Sequence, residues 1–378
     1  MIKQNKMKEY TDKYFLRSNE ILKAKGMNPW VNMQVFVRRG PGKVFGIDEA
    51  IEIVKENGNI LESGGKIYAK DEGDCYAPKE TVMNIIAPIQ DIIELETVYL
   101  GVLTTATSRY NDGMELDFNK IGDQMRDVVK VAGDRPVLYF GARHWHWSHD
   151  SALANLAYEN GCRYVATDNG AKQKGESGVG TTPHALENIF AYYYGYENAV
   201  KESIKAFDKV IDSSVPRVAL VDYANKEITD SIETARALEG RLSSVRVDTC
   251  GENIAEGGVS GTKKYWEDRG VTVEGVYALR KALDDGGYND VGITLSSGFS
   301  NPAKVQAFND GEKKYGVKLY DAIGAGFLDG PRTFTADVIA VGESLEEVDF
   351  YSGKVKDKNI IHKVGRPPRL NKNLERRL

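Results

Sequence analysis

Three cysteines in 378 residues, Cys75, Cys162 and Cys250, stand far apart and form no CxxC pair. That scarcity argues against a disulfide scaffold or a zinc ribbon and suits a reducing cytosol. No apolar run approaches the roughly 18 residues that a membrane span needs. The basic opening, Met1 to Lys8, leads into no apolar stretch, so no secretory signal is expected. Positive charge is not in excess either: the formal net charge is -5, which gives nucleic acid or an anionic membrane nothing to hold. Internal repeats and low-complexity tracts are missing. A cytoplasmic protein without nucleic-acid or membrane partners is expected.

What is present is ordinary globular composition, 41% hydrophobic and 28% charged, at a length that allows two domains or one barrel with an appendage. Residues 1–109 mix helix and strand without regular alternation. Thr11 is placed to cap a first helix, Val31–Arg38 alternates as a strand, Gly64–Ile85 reads as strand, turn, strand, and Pro88–Thr107 as one long helix. An α+β layer is predicted there. Residues 110–330 change pattern: short apolar strands near 137, 163, 217, 244, 291 and 317 alternate with helices, among them Gly261–Arg269 and Pro302–Tyr315. Such repeated βα units predict a parallel sheet. Nearly every strand ends in small or functional residues, which favours an irregular, incomplete α/β barrel over an open doubly wound sheet, because a barrel gathers its strand ends at one face. Residues 331–378, with one further strand at Thr333–Val341, are too polar to form a core and are expected to pack back on the N-terminal domain or a neighbouring subunit.

Several strand ends carry chemistry. Val179-Gly180-Thr181-Thr182-Pro183-His184-Ala185-Leu186 reads as a loop entering a helix, with Pro183 suited to the first helical position and His184 in the first turn, where backbone amides favour anions. The plain alternative is a histidine that packs locally. Arg246 and Asp248 share one face of a strand, as a structural ion pair or as a grip on a ligand with an acid beside hydroxyls. Phe140 and Arg143 flank Gly141, as core and surface residues or as a stacking platform beside an anion-holding guanidinium. Ser296-Ser297-Gly298 and Gly324-Ala325-Gly326 end the last two strands, where barrels often hold a phosphate; ordinary turns are the alternative. His144, His146 and His149 invite a metal reading, but no carboxylate or cysteine completes a familiar spacing, and no metal ligand is assigned.

Taken in order, these pieces resemble the nicotinate phosphoribosyltransferases, most like the archaeal-type members, and more distantly the nicotinamide and quinolinate enzymes. Thr11-Asp12-x-Tyr14-Phe15, Gln34-Val35-Phe36, Glu80-Thr81-Val82-Met83 and the stretch Glu94 to Gly101 belong to the resemblance, as do Phe140 to Arg143, Gly180 to Ala185, Val245 to Thr249, the two late loops and Lys363-Val364-Gly365-Arg366. The resemblance implies joining of a pyridine base to 5-phosphoribosyl-1-pyrophosphate, with Mg²⁺, with ATP as co-substrate, and with sites shared between subunits of at least a dimer. It makes His184 the histidine that ATP phosphorylates, Phe140 one face of the base site and Tyr14, from a partner subunit, the other. Arg143 would hold phosphate, Arg246 lie near the base and Asp248 on the ribose hydroxyls, with Thr181 in the substrate-binding set. Ser297 and the glycines at 298, 324 and 326 would cradle the 5′-phosphate. Asp168 falls where nicotinate enzymes carry serine and nicotinamide enzymes aspartate, so nicotinamide is the alternative base, since a carboxylate would repel nicotinate. The Ser296-Ser297-Gly298 loop has one glycine fewer than the family's usual loop. A metal-dependent barrel hydrolase or lyase and a non-catalytic phosphometabolite binder are the alternatives of other classes.

Overall fold

The computed structural model describes residues 6–260, 268–327 and 330–378. Thirteen strands are defined there: β1 Trp30–Val37, β2 Gly42–Lys43, β3 Lys66–Ala69, β4 Cys75–Tyr76, β5 Thr81–Pro88, β6 Val137–Tyr139, β7 Tyr164–Val165, β8 Arg217–Leu220, β9 Leu242–Val247, β10 Gly292–Leu295, β11 Ala322–Ala325, β12 Phe334–Gly342 and β13 Glu375–Arg376. Two sheets organise them. A five-stranded antiparallel sheet runs β12-β1-β5-β3-β13, and a six-stranded parallel sheet runs β7-β6-β11-β10-β9-β8. The parallel sheet curls into a half-barrel beside the antiparallel domain.

The antiparallel sheet takes strands from both ends of the chain. β1 pairs with β12 from Trp30 opposite Gly342 to Val37 opposite Phe334, with a bulge at Asn32/Met33. β13 pairs with β3. Val31 to Val37 are all buried, so β1 is covered on both faces, not on one as its alternation predicts. One covering cluster joins Ile86, Ala340 and Val348 to side chains of the C-terminal segment, including Phe350 and Val355. The polar tail is held by backbone groups: Gln34 Nε2 donates to the Pro367 carbonyl at 3.1 Å and Thr81 Oγ1 to that of Arg369 at 2.6 Å.

Two local expectations change. Pro88–Thr107 is not one helix: Ile89–Ile92 and a 3-10 turn, Ile93–Leu95, precede a helix Glu96–Asp112. The apolar positions are continuous because the segment is buried nearly all round, so their spacing does not mark the break. Thr11 does not cap the first helix, Lys13–Lys25; Asp12 stands at that position, and Thr11 Oγ1 turns to the Glu94 carbonyl. The helix expected at Gly261–Arg269 falls almost wholly on 261–267, outside the described residues. By contrast Pro302–Tyr315 forms as its signals dictate, with Asn301 Oδ1 accepting from the Ala303 N–H, proline leading, and Gly316 in the left-handed conformation after it.

Among the described residues, no helix is long and apolar enough to cross a membrane.

Candidate active site

The register of the parallel sheet decides what meets at its C-terminal edge. Leu295 lies opposite Val247 and opposite Ile323, while Ala325 lies opposite Tyr139. The residues that follow, Phe140, Asp248, Ser296 and Gly326, therefore emerge together. They line a cavity of about 440 Å³ that β12 and the C-terminal segment help to enclose.

Arg246 and Asp248 project to the same side of β9, as period-two alternation requires. Arg246 Nη2 lies 4.0 Å from Asp248 Oδ2, and its guanidinium carbon sits 6.0 Å from the centre of the Phe140 ring. Arg246 Nε is buried with no hydrogen-bond partner. A buried guanidinium N–H without an acceptor is costly unless a ligand completes it. Asp248 Oδ1 accepts from Ser296 Oγ at 2.9 Å.

The two late loops both line the cavity, but their glycines sit in different surroundings. A Cβ on Gly324 would fall 2.2 Å from Phe140 Cε2, and one on Gly326 would fall 2.4 Å from His144 Cε1. Glycine at these positions makes room for two rings before it makes room for a phosphate. The other loop has the open backbone: Ser297 and Gly298 both have positive φ, 71° and 79°. Behind it lies a residue the sequence reading missed. Lys304 is fully buried, its Nζ donates to the Ser297 carbonyl at 2.8 Å, and burial pushes its amine down to about 7 against the opposing charge of Asp248.

His184 opens the helix His184–Tyr194, and Pro183 stands one place earlier than expected, as the cap residue. His184 Nε2 lies 3.0 Å from Asp222 Oδ1. On the far side Lys363 Nζ donates to the Asp222 carbonyl oxygen at 2.8 Å and also to Oδ2. Burial opposes ionisation of Asp222, but Lys363 and His184 outweigh it and hold the carboxyl below its usual range. Burial likewise lowers the His184 pKa, with Lys363 adding to the effect and Asp222 opposing it. A neutral imidazole facing an ionised carboxylate donates its Nε2–H, leaving the lone pair on Nδ1. One turn further, Glu187 is buried with neither carboxyl oxygen hydrogen-bonded, and burial and then Asp222 push its pKa well above the carboxylate range. Nothing local in the sequence pairs Lys363 with Asp222; the only signal is Lys363 within the stretch that carries the resemblance.

Tyr14 reaches the cavity within a single chain, because Asp12 and the start of the first helix are tied to the barrel edge: the Lys13 N–H donates to the Ala166 carbonyl at 2.7 Å. Arg143 lies 3.1 Å from Asp12 Oδ2 and 3.4 Å from Glu96 Oε1, with its guanidinium 5.6 Å from the Tyr14 ring centre. Burial raises the pKa of both acids.

Two predicted substrate residues do not line the cavity. Asp168 accepts from Lys13 Nζ at 2.6 Å and from the Gly178 N–H at 2.9 Å, so its carboxylate ties loops together. Thr181 Oγ1 donates to the Val218 carbonyl at 2.6 Å, which turns it toward β8. The three histidines also diverge: His144 lines the cavity while His146 Nε2 meets Glu49 at 2.9 Å on the outside. Among the described residues no group of three His, Cys, Asp or Glu side chains is arranged to hold a metal ion.

The strand ends of the curled parallel sheet, flanked by the antiparallel domain, thus carry a phenylalanine, an arginine–aspartate pair, a helix-start histidine and a small-residue loop around one cavity. Residues 12–107 match the family described as quinolinate phosphoribosyl transferase, N-terminal domain. The nicotinate phosphoribosyltransferase pncB1 of Mycobacterium tuberculosis is 26% identical over 188 residues, which cover 49% of this chain and 38% of that protein. The match thus spans well under half the length of that curated relative. Among solved structures, the nicotinate phosphoribosyltransferase of Porphyromonas gingivalis superposes with a TM-score of 0.66 at 12% identity, over 96% of this chain and 93% of that one. That of Vibrio cholerae gives 0.63 at 11%, over 90% and 87%. The chain thus matches that N-terminal domain over residues 12–107 and shares the fold of solved nicotinate phosphoribosyltransferases.

Proposed function

We propose that the protein is a cytoplasmic nicotinate phosphoribosyltransferase of NAD salvage. It would join nicotinate to 5-phosphoribosyl-1-pyrophosphate and release pyrophosphate, with ATP consumed through a phosphohistidine. The observation that carries this reading is Arg246, a guanidinium with a buried, unpartnered Nε beside the Phe140 ring. That pairing suits a flat aromatic acid. Asp168, on which the nicotinamide alternative rested, is engaged by Lys13 and lies off the cavity, which supports nicotinate as the base.

The chemistry asks for position and charge more than for a strong base, because the pyridine nitrogen is itself the nucleophile. As it bonds to the anomeric carbon, the C–O bond to pyrophosphate breaks and the sugar carries oxocarbenium character. Phe140 and Tyr14 hold the ring, Asp248 takes the ribose hydroxyls, and the Ser297–Gly298 loop takes the 5′-phosphate. The leaving pyrophosphate needs neutralisation. A Mg²⁺ ion carried on substrate phosphates usually asks the protein for only one or two carboxylates, and Asp248 lines the cavity to supply one. When bound, Mg²⁺ would neutralise charge on the departing pyrophosphate. His184 Nδ1, with its lone pair fixed by Asp222, is the proposed phosphoryl acceptor. A dimer with active sites shared between subunits belongs to the proposal.

Nicotinate and nicotinamide, offered separately with phosphoribosyl pyrophosphate and Mg²⁺, with and without ATP, test this reading. Mononucleotide from nicotinate, faster with ATP, is expected; turnover of nicotinamide in preference would replace it with the alternative, and stoichiometric zinc in the purified protein with no turnover would favour a hydrolase or lyase.

A further inference from the structure

Lys304 is an unusual side chain to bury. It occupies the third position of the helix Pro302–Tyr315, where a cation opposes the helix dipole, and it is wholly excluded from solvent. A buried lysine is costly unless its charge is used. Its Nζ donates to the Ser297 carbonyl at 2.8 Å and lies 4.3 Å from the centre of the Phe299 ring. Ser297 holds φ at 71°, a left-handed conformation that a side chain with a Cβ adopts at some cost, and Gly298 follows at 79°. The peptide between them is trans, so its carbonyl and its N–H point in opposite directions. With the Ser297 carbonyl drawn inward to the ammonium, the Gly298 N–H is turned away from Lys304. Ser297 and Gly298 both line the cavity.

We propose that Lys304 is a positioning residue: it pins the Ser297–Gly298 peptide with its N–H presented to the cavity, and so builds the donor that takes the 5′-phosphate of the sugar substrate. The inference rests on the proposed function for the existence of that phosphate, and it goes beyond it in naming the side chain that shapes the loop. Lys304 touches no substrate in this account; its effect passes through the peptide it holds.

The test compares wild type with Lys304→Met, which keeps the aliphatic length and removes the donor, and with Lys304→Gln, whose shorter amide is easier to accommodate should the first variant lose its folding transition. Binding of ribose 5-phosphate is read by calorimetry, without any turnover, and KM for each substrate is read in the assay. The expected result is ribose 5-phosphate weakened by about 10-fold or more, and KM for phosphoribosyl pyrophosphate raised likewise, with KM for nicotinate and kcat within about 3-fold, the size of effect expected when one hydrogen-bonded donor is misplaced. A merely structural role would change all parameters together or none. Unchanged ribose 5-phosphate binding in a folded variant overturns the inference and leaves the nicotinate reading standing; no binding of ribose 5-phosphate to wild type overturns it as well. A wild type that binds ribose 5-phosphate through Lys304 but turns over no pyridine base would instead sink the proposed function alone.

Discussion

Replacing Lys363 by methionine removes the cation from a pair that is almost wholly buried: the Lys363 side chain is 3% exposed and that of Asp222 is 0%. Breaking such a pair on one side strands a charge and costs ~3–5 kcal/mol in typical cases. Here the cost is softened, because His184 still faces Asp222 at 3.0 Å. The substitution should therefore lower the apparent melting temperature by several degrees. Its second effect is on titration. In wild type the His184 pKa is held below 6.5 by burial, with Lys363 contributing. The unfolded chain then takes up a proton below pH 6.5 that the folded chain refuses, so stability falls as pH drops from 6.5 toward the folded value. Asp222 acts in the same direction lower down: its contribution is complete above about 3.8 and is lost as pH falls through its depressed folded value. Without Lys363 the His184 pKa rises, so less stability is lost on acidification from His184, and the acid limb of ATP-dependent turnover moves to higher pH because fewer imidazoles are neutral. Thermal melts between pH 5 and 8 and a pH profile of the ATP-stimulated rate check both. An unchanged melt with an unmoved acid limb would refute the reasoning.

Three other outcomes follow from the same geometry. Gly324→Ala places a Cβ where Phe140 now stands, 2.2 Å from Cε2, and should cost ~1–3 kcal/mol of stability by overpacking; by tilting the ring it should also raise KM for nicotinate by roughly 3- to 10-fold, the worth of an aromatic stack, in steady-state kinetics. Asp168→Ala should leave the nicotinate-to-nicotinamide preference within about 2-fold and cost ~1–2 kcal/mol in a melt, since it removes a partly exposed salt bridge and the acceptor of the Gly178 N–H; a switch in base preference would place the carboxylate at the ligand after all. ATP labelled at its terminal phosphate should mark wild type and leave His184→Ala unmarked, and equal labelling would remove His184 from the phosphoryl path.

The parallel half of the fold was legible because each strand is a short apolar run bounded by turn residues, and Pro302–Tyr315 carried its own start and stop. Phe140, Arg246, Asp248 and His184 were legible as residues at strand ends or at a helix start. What could not be read locally depends on contacts between distant segments. The direction of Asp168 is set by Lys13, 155 residues away, and the charge state of Asp222 by Lys363, 141 residues away. The break at Ile93–Leu95 was hidden because apolar residues continue across it. No local pattern marks Lys304 as a buried residue; its carbonyl partner at Ser297 shows why it is inside.

The central claim is that this cavity receives an aromatic carboxylate at Arg246 and transfers a phosphoribosyl group to it. Comparison of kcat/KM for nicotinate between wild type and Arg246→Ala tests it most directly. Loss of a buried guanidinium from a charged ligand should lower kcat/KM by at least ~30-fold, with nicotinate mononucleotide and pyrophosphate formed in equal amounts by wild type. A variant within about 3-fold of wild type, too little for a lost buried charge contact, would contradict the account.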